Sequence, residues 1–228
     1  MVGTLINAAA ILVGATLGIL LGSRLNERYS QIVTWAIGLM TVVLGLQMAL
    51  GVHSILFVVV SLVIGSLLGE LLRLDQLLDR GADFLRRFVP SRGAAADRFS
   101  EGFVTSTLLF CVGTMAILGP IQDASGAEPT ILYTKSMMDG TSAMFFAATL
   151  GIGVLFSAIP LLIYQGSIGL AAGFLMSFLG ENSMADFTAT GGILLLGLGI
   201  SILKLGRIDV VNMLPSLVVV VVLNLLLQ

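Results

Sequence analysis

The run VGTLINAAAILVGATLGILLG, from Val2 to Gly22, decides the class of this chain. It holds no charged residue, and about 20 apolar residues in helical form reach across the roughly 30 Å of a bilayer's hydrocarbon core. It lacks the basic start of a secretory leader, so it predicts a retained membrane helix. Seven further apolar segments follow, at Ile32–Leu50, Ser54–Leu72, Gly102–Gly119, Thr141–Pro160, Leu161–Gly180, Phe187–Leu205 and Asn212–Leu227. Composition agrees: 57% of the residues are hydrophobic and 11% charged, less than half of the roughly 25% charge that coats a soluble domain. The mean hydropathy is +1.07. The fold class expected is all-α, a polytopic transmembrane bundle of about eight spans.

Charge orients that bundle. Six of the eleven Lys and Arg residues, namely Arg73, Arg80, Arg86, Arg87, Arg92 and Arg98, fall between the third and fourth segments. The positive-inside rule puts this connection in the cytoplasm. Arg24 and Arg28, and Lys204 and Arg207, then also lie inside, while both termini and the Glu181–Asp186 connection lie outside. Within the connector, Leu71–Val89 has apolar residues at helical spacing with arginines between them, which predicts an amphipathic helix on the inner membrane surface. Ser91–Asp97 reads as a flexible linker. The net charge of −2 argues against nucleic acid as a partner.

Internal similarity adds a mechanism. Gly38 and Gly45 with Gln47 match Gly192 and Gly199 with Ser201, and Ser61-Leu62-Val63 matches Ser216-Leu217-Val218. Asn7 to Gly22 resembles Gln165 to Gly180, and Thr105 to Phe110 resembles Thr141 to Phe146. Spans 1–3 and 6–8 are offset by an odd number of spans, so the copies face opposite ways, and spans 4 and 5 are antiparallel partners. Such inverted repeats supply the two near-equivalent states of alternating access. The chain therefore reads as one membrane domain over 1–228. It divides into a first repeat over 1–72, a connector over 73–101, central spans over 102–160 and a second repeat over 161–228.

Hydrocarbon penalises ionisable groups, so each one in the bundle is a functional candidate. The richest stretch runs from Gly119 to Gly140. Gly119-Pro120 is expected to break span 4 and Asp139-Gly140 to precede span 5, leaving 119–140 broken or re-entrant, or else a surface loop. Lys135 and Asp139 stand one helical turn apart and can pair. Together with Ser136 and Gln122 they form the candidate ligand site or gate; the bland alternative is a surface ion pair. Asn7 and Gln165 are the other candidates, either as hydrogen-bonding glue between helices or as part of a shared pathway. Gly14, Gly18 and Gly22, and Gly65 with Gly69, are small faces suited to packing within one chain or in a homo-oligomer.

Gly3-Thr4-Leu5-Ile6-Asn7, the run from Phe110 to Gly119, Ile121-Gln122, Lys135-Ser136, Asp139-Gly140, Ser157-Ala158 and Tyr164-Gln165-Gly166 resemble the YqgA/YdfK-type family of bacterial inner-membrane proteins, which carry a domain of unknown function. The resemblance covers essentially the whole chain. It implies a multi-pass protein of the bacterial plasma membrane and places Gln122, Lys135, Asp139 and Gln165 at motif positions. The function expected is a small transporter of an ion or small polar metabolite. The alternatives are a channel on the same scaffold, or a non-transporting assembly or signalling protein. An enzyme is not expected: there is no His-Glu-x-x-His or Gly-x-Ser-x-Gly, and His53 is the one histidine. Cys111 stands alone, so neither a disulfide nor a cysteine-held metal is available, and no cofactor is implied. The partners expected are the lipid bilayer and a small solute or ion.

Overall fold

The computed structural model describes residues 1–22, 27–86, 94–175 and 180–227. Among these every regular element is an α-helix: α1 Val2–Gly22, α2 Glu27–Ala49, α3 Ile55–Leu72, α4 Leu74–Arg86, α5 Ala94–Cys111, α6 Thr114–Ala124, α7 Thr130–Leu150, α8 Gly153–Phe156, α9 Ala158–Leu170, α10 Ala172–Leu175, α11 Glu181–Ile202 and α12 Ser216–Leu227. Five stretches are long and apolar enough to cross a bilayer: α1, Gln31–Ala49, α3, Gly153–Leu170 and Asn182–Ile202. A sixth forms if α5 and α6, which meet at a 62° bend, count as one broken span. Arg24, Arg87, Arg92 and the first part of the expected linker, 91–93, lie outside the described residues; 94–97 belong to α5 rather than to a linker.

On α1 and α3 small and polar residues dominate the buried face. On α3 the buried residues are Val58, Ser61, Gly65 and Gly69, while Leu56, Val63 and Leu67 are exposed. On α1 the buried face carries Gly3, Thr4, Asn7, Ala8, Gly14, Ala15 and Gly18 with one large residue, Ile11, and Leu5, Val13 and Leu20 point outward. Small and polar residues inside with large apolar ones outside is what lipid selects, because close packing and hydrogen bonds, not water exclusion, hold such helices together.

The chain forms two compact units. The first comprises Met1–Ile37, Asp79–Cys111 and Met115–Gly173. Its axis is the pairing of α1 with α7, where Gly14, Gly18 and Gly22 fit against the backbone carbonyls of Gly140, Met144 and Ala148 so closely that any side chain would overlap them. The second unit comprises Gly38–Leu78, Val112–Thr114 and Phe174–Gln228. There α2 and α11 cross through glycines. A methyl group added at Gly45 would lie 2.7 Å from the Gly192 oxygen, and one at Gly192 2.6 Å from the Gly45 oxygen. Gly199 likewise meets the Gly38 oxygen at 3.1 Å. α3 packs in the same manner on α12 and the turn before it, Gly65 against Ser216 and Gly69 against Asn212.

The helix interruptions differ from those expected. Gly119 and Pro120 lie inside α6, and the chain instead turns at Gly113, whose φ of 122° suits a residue without Cβ. Residues 130–138 are neither a loop nor a separate half-helix: they are the first turns of α7, which has 21 residues and is about 30 Å long. Gly140 therefore sits in mid-helix, where its bareness admits α1. The boundary expected at Pro160 lies at Gly151, with φ 80°. Pro160 falls in the first turn of α9, where an N–H is not needed.

Candidate functional site

The site of the first unit is assembled from α1, α7 and α9. The helical repeat puts Lys135 and Asp139 on one face of α7, and the Lys135 Nζ lies 2.5 Å from Asp139 Oδ2. Asn7 of α1 donates from Nδ2 to the same Oδ2 at 3.1 Å and to Gln165 Oε1 of α9 at 3.4 Å. All four side chains are buried, Asn7 and Gln165 completely. Asp139 lies nine residues into α7, about 14 Å from its first residue, close to half the thickness of a hydrocarbon core.

The hydrogen-bond chain fixes the amide orientations. An ionised carboxylate only accepts, so the Asn7 group facing Asp139 is its NH2, and the Gln165 group facing that NH2 is its carbonyl. This leaves Asn7 Oδ1, an acceptor, and Gln165 Nε2, a donor, both buried without a partner. Thr4 Oγ1, one turn up α1 from Asn7, is also buried and unpaired. A buried polar group left unmatched costs about 1–3 kcal/mol, and α1 and α9 carry three such atoms here. Chemically, the cluster offers one free acceptor and one free donor beside a buried ion pair.

Two of the six expected site residues stand apart from this cluster. Ser136 donates its hydroxyl to the Leu132 carbonyl one turn back, at 2.6 Å. Gln122 joins α6 to α7: its Oε1 accepts from the Ile131 N–H at 3.2 Å and its Nε2 donates to Thr130 Oγ1 at 3.3 Å. It thus satisfies one of the free N–H groups at the start of α7. A neighbour that the sequence reading missed is Asp123, buried in α6, whose Oδ2 accepts from the Thr4 N–H at 3.2 Å.

The second unit contains a polar centre that the sequence reading placed in an outer connection. Asp186 lies in α11 and is fully buried. It accepts from the His53 and Ser54 N–H groups at 2.9 and 2.7 Å and from Asn224 Nδ2 at 3.3 Å. Asn212, at the far end of α3, donates to Glu70 and accepts from the Asp75 N–H. A carboxylate and an amide in otherwise apolar segments were the available signal. No group of three or more His, Cys, Asp or Glu side chains arranged to hold a metal occurs among the described residues.

Residues 2–225 match the model of the family described as Protein of unknown function (DUF554). The uncharacterized protein YqgA of Escherichia coli (strain K12) is 36% identical over 218 residues, 95% of this chain and 93% of its own length. The uncharacterized membrane protein YdfK of Bacillus subtilis (strain 168) is 34% identical over 225 residues, 96% of this chain and 93% of its own. No solved structure matches.

Proposed function

We propose that this chain, which belongs to the DUF554 family, is a small transporter of the bacterial plasma membrane that moves an ion or small polar solute by alternating access. The observation that carries the reading is the buried cluster of Asn7, Lys135, Asp139 and Gln165, an ion pair and two amides with an unmatched acceptor and donor. A charge pair buried in an apolar bundle is costly and is characteristically retained on a substrate or ion pathway.

Symmetry supports the transport part. Gly38 stands 154 residues before Gly192, and Gly45 the same distance before Gly199. At that offset the α2–α11 contacts recur with the roles exchanged. Gly45 meets the Leu196 N at 2.7 Å and Gly199 meets the Val42 N at 2.9 Å; Gly38 meets Leu203 and Gly192 meets Ala49. Reciprocity of this kind is what a two-fold relation between antiparallel copies produces. Asn7 and Gln165, matched in the same repeat, are hydrogen-bonded to each other, and two equivalent positions touch only at the axis that relates them. On this reading the ligand site lies where α1 and α9, the first spans of the two copies, meet, as sites at repeat interfaces of transporters do. The eight spans are then the five long stretches, the bent α5–α6 pair, α7 and α12, with the 73–101 connector cytoplasmic and both ends outside.

In the mechanism Asp139 is the carboxylate that takes a cation or proton, Lys135 is its counter-charge or the contact for an anion, and Asn7 and Gln165 supply uncharged hydrogen bonds. The test is charge movement in proteoliposomes on a solid-supported membrane, under gradients of protons, sodium, potassium, chloride and pooled metabolites. A transient that saturates with one solute and disappears in Asp139→Asn is the expected result. Wild-type flux from that variant would remove the role given to Asp139, and a sustained, non-saturating current would mean a channel.

A further inference from the structure

The Asp186 centre of the second unit resembles the Asp139 centre of the first in its parts but not in its charge. In both, an asparagine from a neighbouring helix donates Nδ2 to the carboxylate while its own Oδ1 stays buried and unpaired. In the first unit a lysine ammonium 2.5 Å from the carboxylate completes the set. At Asp186 the hydrogen-bond partners are the His53 and Ser54 N–H groups and the Asn224 amide. No basic side chain pairs with it among the described residues. Ser54 is the N-cap of α3, and a helix N-terminus supplies about +0.5 of a charge. The carboxylate is therefore held by N–H dipoles, with no full positive charge beside it among the described residues.

The asparagine says what would complete the site. Asn224 Nδ2 donates to Asp186 Oδ2 and, at 2.9 Å, to the Val220 carbonyl. Two acceptors on that side fix the amide, so the unpaired atom is an acceptor oxygen. The side chain is 2% exposed. A carboxylate without a counter-charge beside an unmet amide oxygen asks for a positive group that oxygen atoms ligate. A proton on Oδ2 would face the Asn224 NH2 rather than its oxygen, so it leaves the acceptor unmet. A divalent ion would overshoot the single charge of one carboxylate.

We propose that Asp186 and Asn224 form a binding site for one sodium-sized monovalent cation, separate from the Lys135–Asp139 centre. The proposal needs no transport activity, so it stands or falls apart from the function proposed above. It is tested on the full chain in detergent, by equilibrium binding of radiolabelled sodium with choline as the inert counter-cation.

The expected result is saturable binding approaching one ion per chain. Affinity should fall about tenfold or more, equivalent to roughly 1.4 kcal/mol, in the near-isosteric Asn224→Leu, and should be unchanged in Asp139→Asn. Asp186→Asn serves as a second variant, and either one judges the site if it elutes as a single folded species. Absence of saturable sodium binding by the wild-type chain would overturn the proposal and leave Asp186 as a helix cap only. So would sodium affinity that survives Asn224→Leu or Asp186→Asn, or that is lost in Asp139→Asn.

Discussion

At the scale of single residues, the energetics of the site turn on one contact. Lys135 and Asp139 are both buried and 2.5 Å apart, and breaking such a pair by removing one partner costs about 3–5 kcal/mol, because the survivor is left charged and alone. Removing both charges avoids that penalty. Lys135→Met is therefore expected to melt well below the wild-type chain in detergent, and Lys135→Met/Asp139→Asn to melt above Lys135→Met, with a coupling of about 2 kcal/mol. Losses that simply add in the double variant would mean that the two groups do not depend on each other. This pair could be read in the sequence because a charge in an apolar run stands out, and Asn7 and Gln165 stood out for the same reason. Ser136 and Gln122 looked equivalent to them, since a sequence does not say which polar groups are already satisfied. Ser136 is spent on the Leu132 carbonyl and Gln122 on the start of α7. Asp186 escaped notice because hydropathy begins the span at Phe187, whereas the helix begins at Glu181.

At the scale of elements, glycine decides which helices approach. A Val side chain at Gly45 would be driven into the Gly192 oxygen and the Leu196 nitrogen, both 2.7 Å from the position of its Cβ, and backbone cannot give way as a flexible side chain can. Gly81 in α4 has nothing within 4 Å, so Gly81→Ala is expected to stabilise by about 1 kcal/mol through helix propensity alone. Gly45→Val and Gly199→Val should instead reduce the yield of monodisperse protein severely and to similar degrees, as read by fluorescence-detected size-exclusion chromatography. The similarity follows from the reciprocal contacts the two glycines make, and a Gly45→Val chain with wild-type yield would refute the seam. Most helices could be located from hydropathy; their interruptions could not. Gly113, Gly119-Pro120, Gly151 and Pro160 are all nominal breakers, and only packing decides which are used. The chain turns at Gly113 and Gly151, where φ is positive, and runs helically through Pro120 and Pro160.

At the scale of the whole molecule, the proposed topology makes the positions of four exposed sites interdependent. His53, Arg80, Glu128 and Lys204 are all exposed, and each lies in or beside a connection between helices or on α4. If α5 and α6 form one bent span and α7 and α12 both cross, His53 and Glu128 face outward while Arg80 and Lys204 face the cytoplasm. With Cys111→Ser as background and a single cysteine introduced at each position, a membrane-impermeant maleimide applied to intact spheroplasts should label the cysteines of His53→Cys and Glu128→Cys. Those of Arg80→Cys and Lys204→Cys should react only after permeabilisation. The alternative in which α5–α6 dips in and returns puts residue 128 on the same side as residue 80, so those two would label together. The decisive comparison is thus between 80 and 128, separated by the bent pair alone. Opposite labelling there, with 204 on the side of 80, keeps α2 and α11 antiparallel across the membrane. That orientation is the condition for the glycine seam to join two inverted copies. Labelling of 80 and 128 from one side would remove a span between the two copies of the repeat, contradict the antiparallel seam of α2 and α11, and take away the structural basis for alternating access.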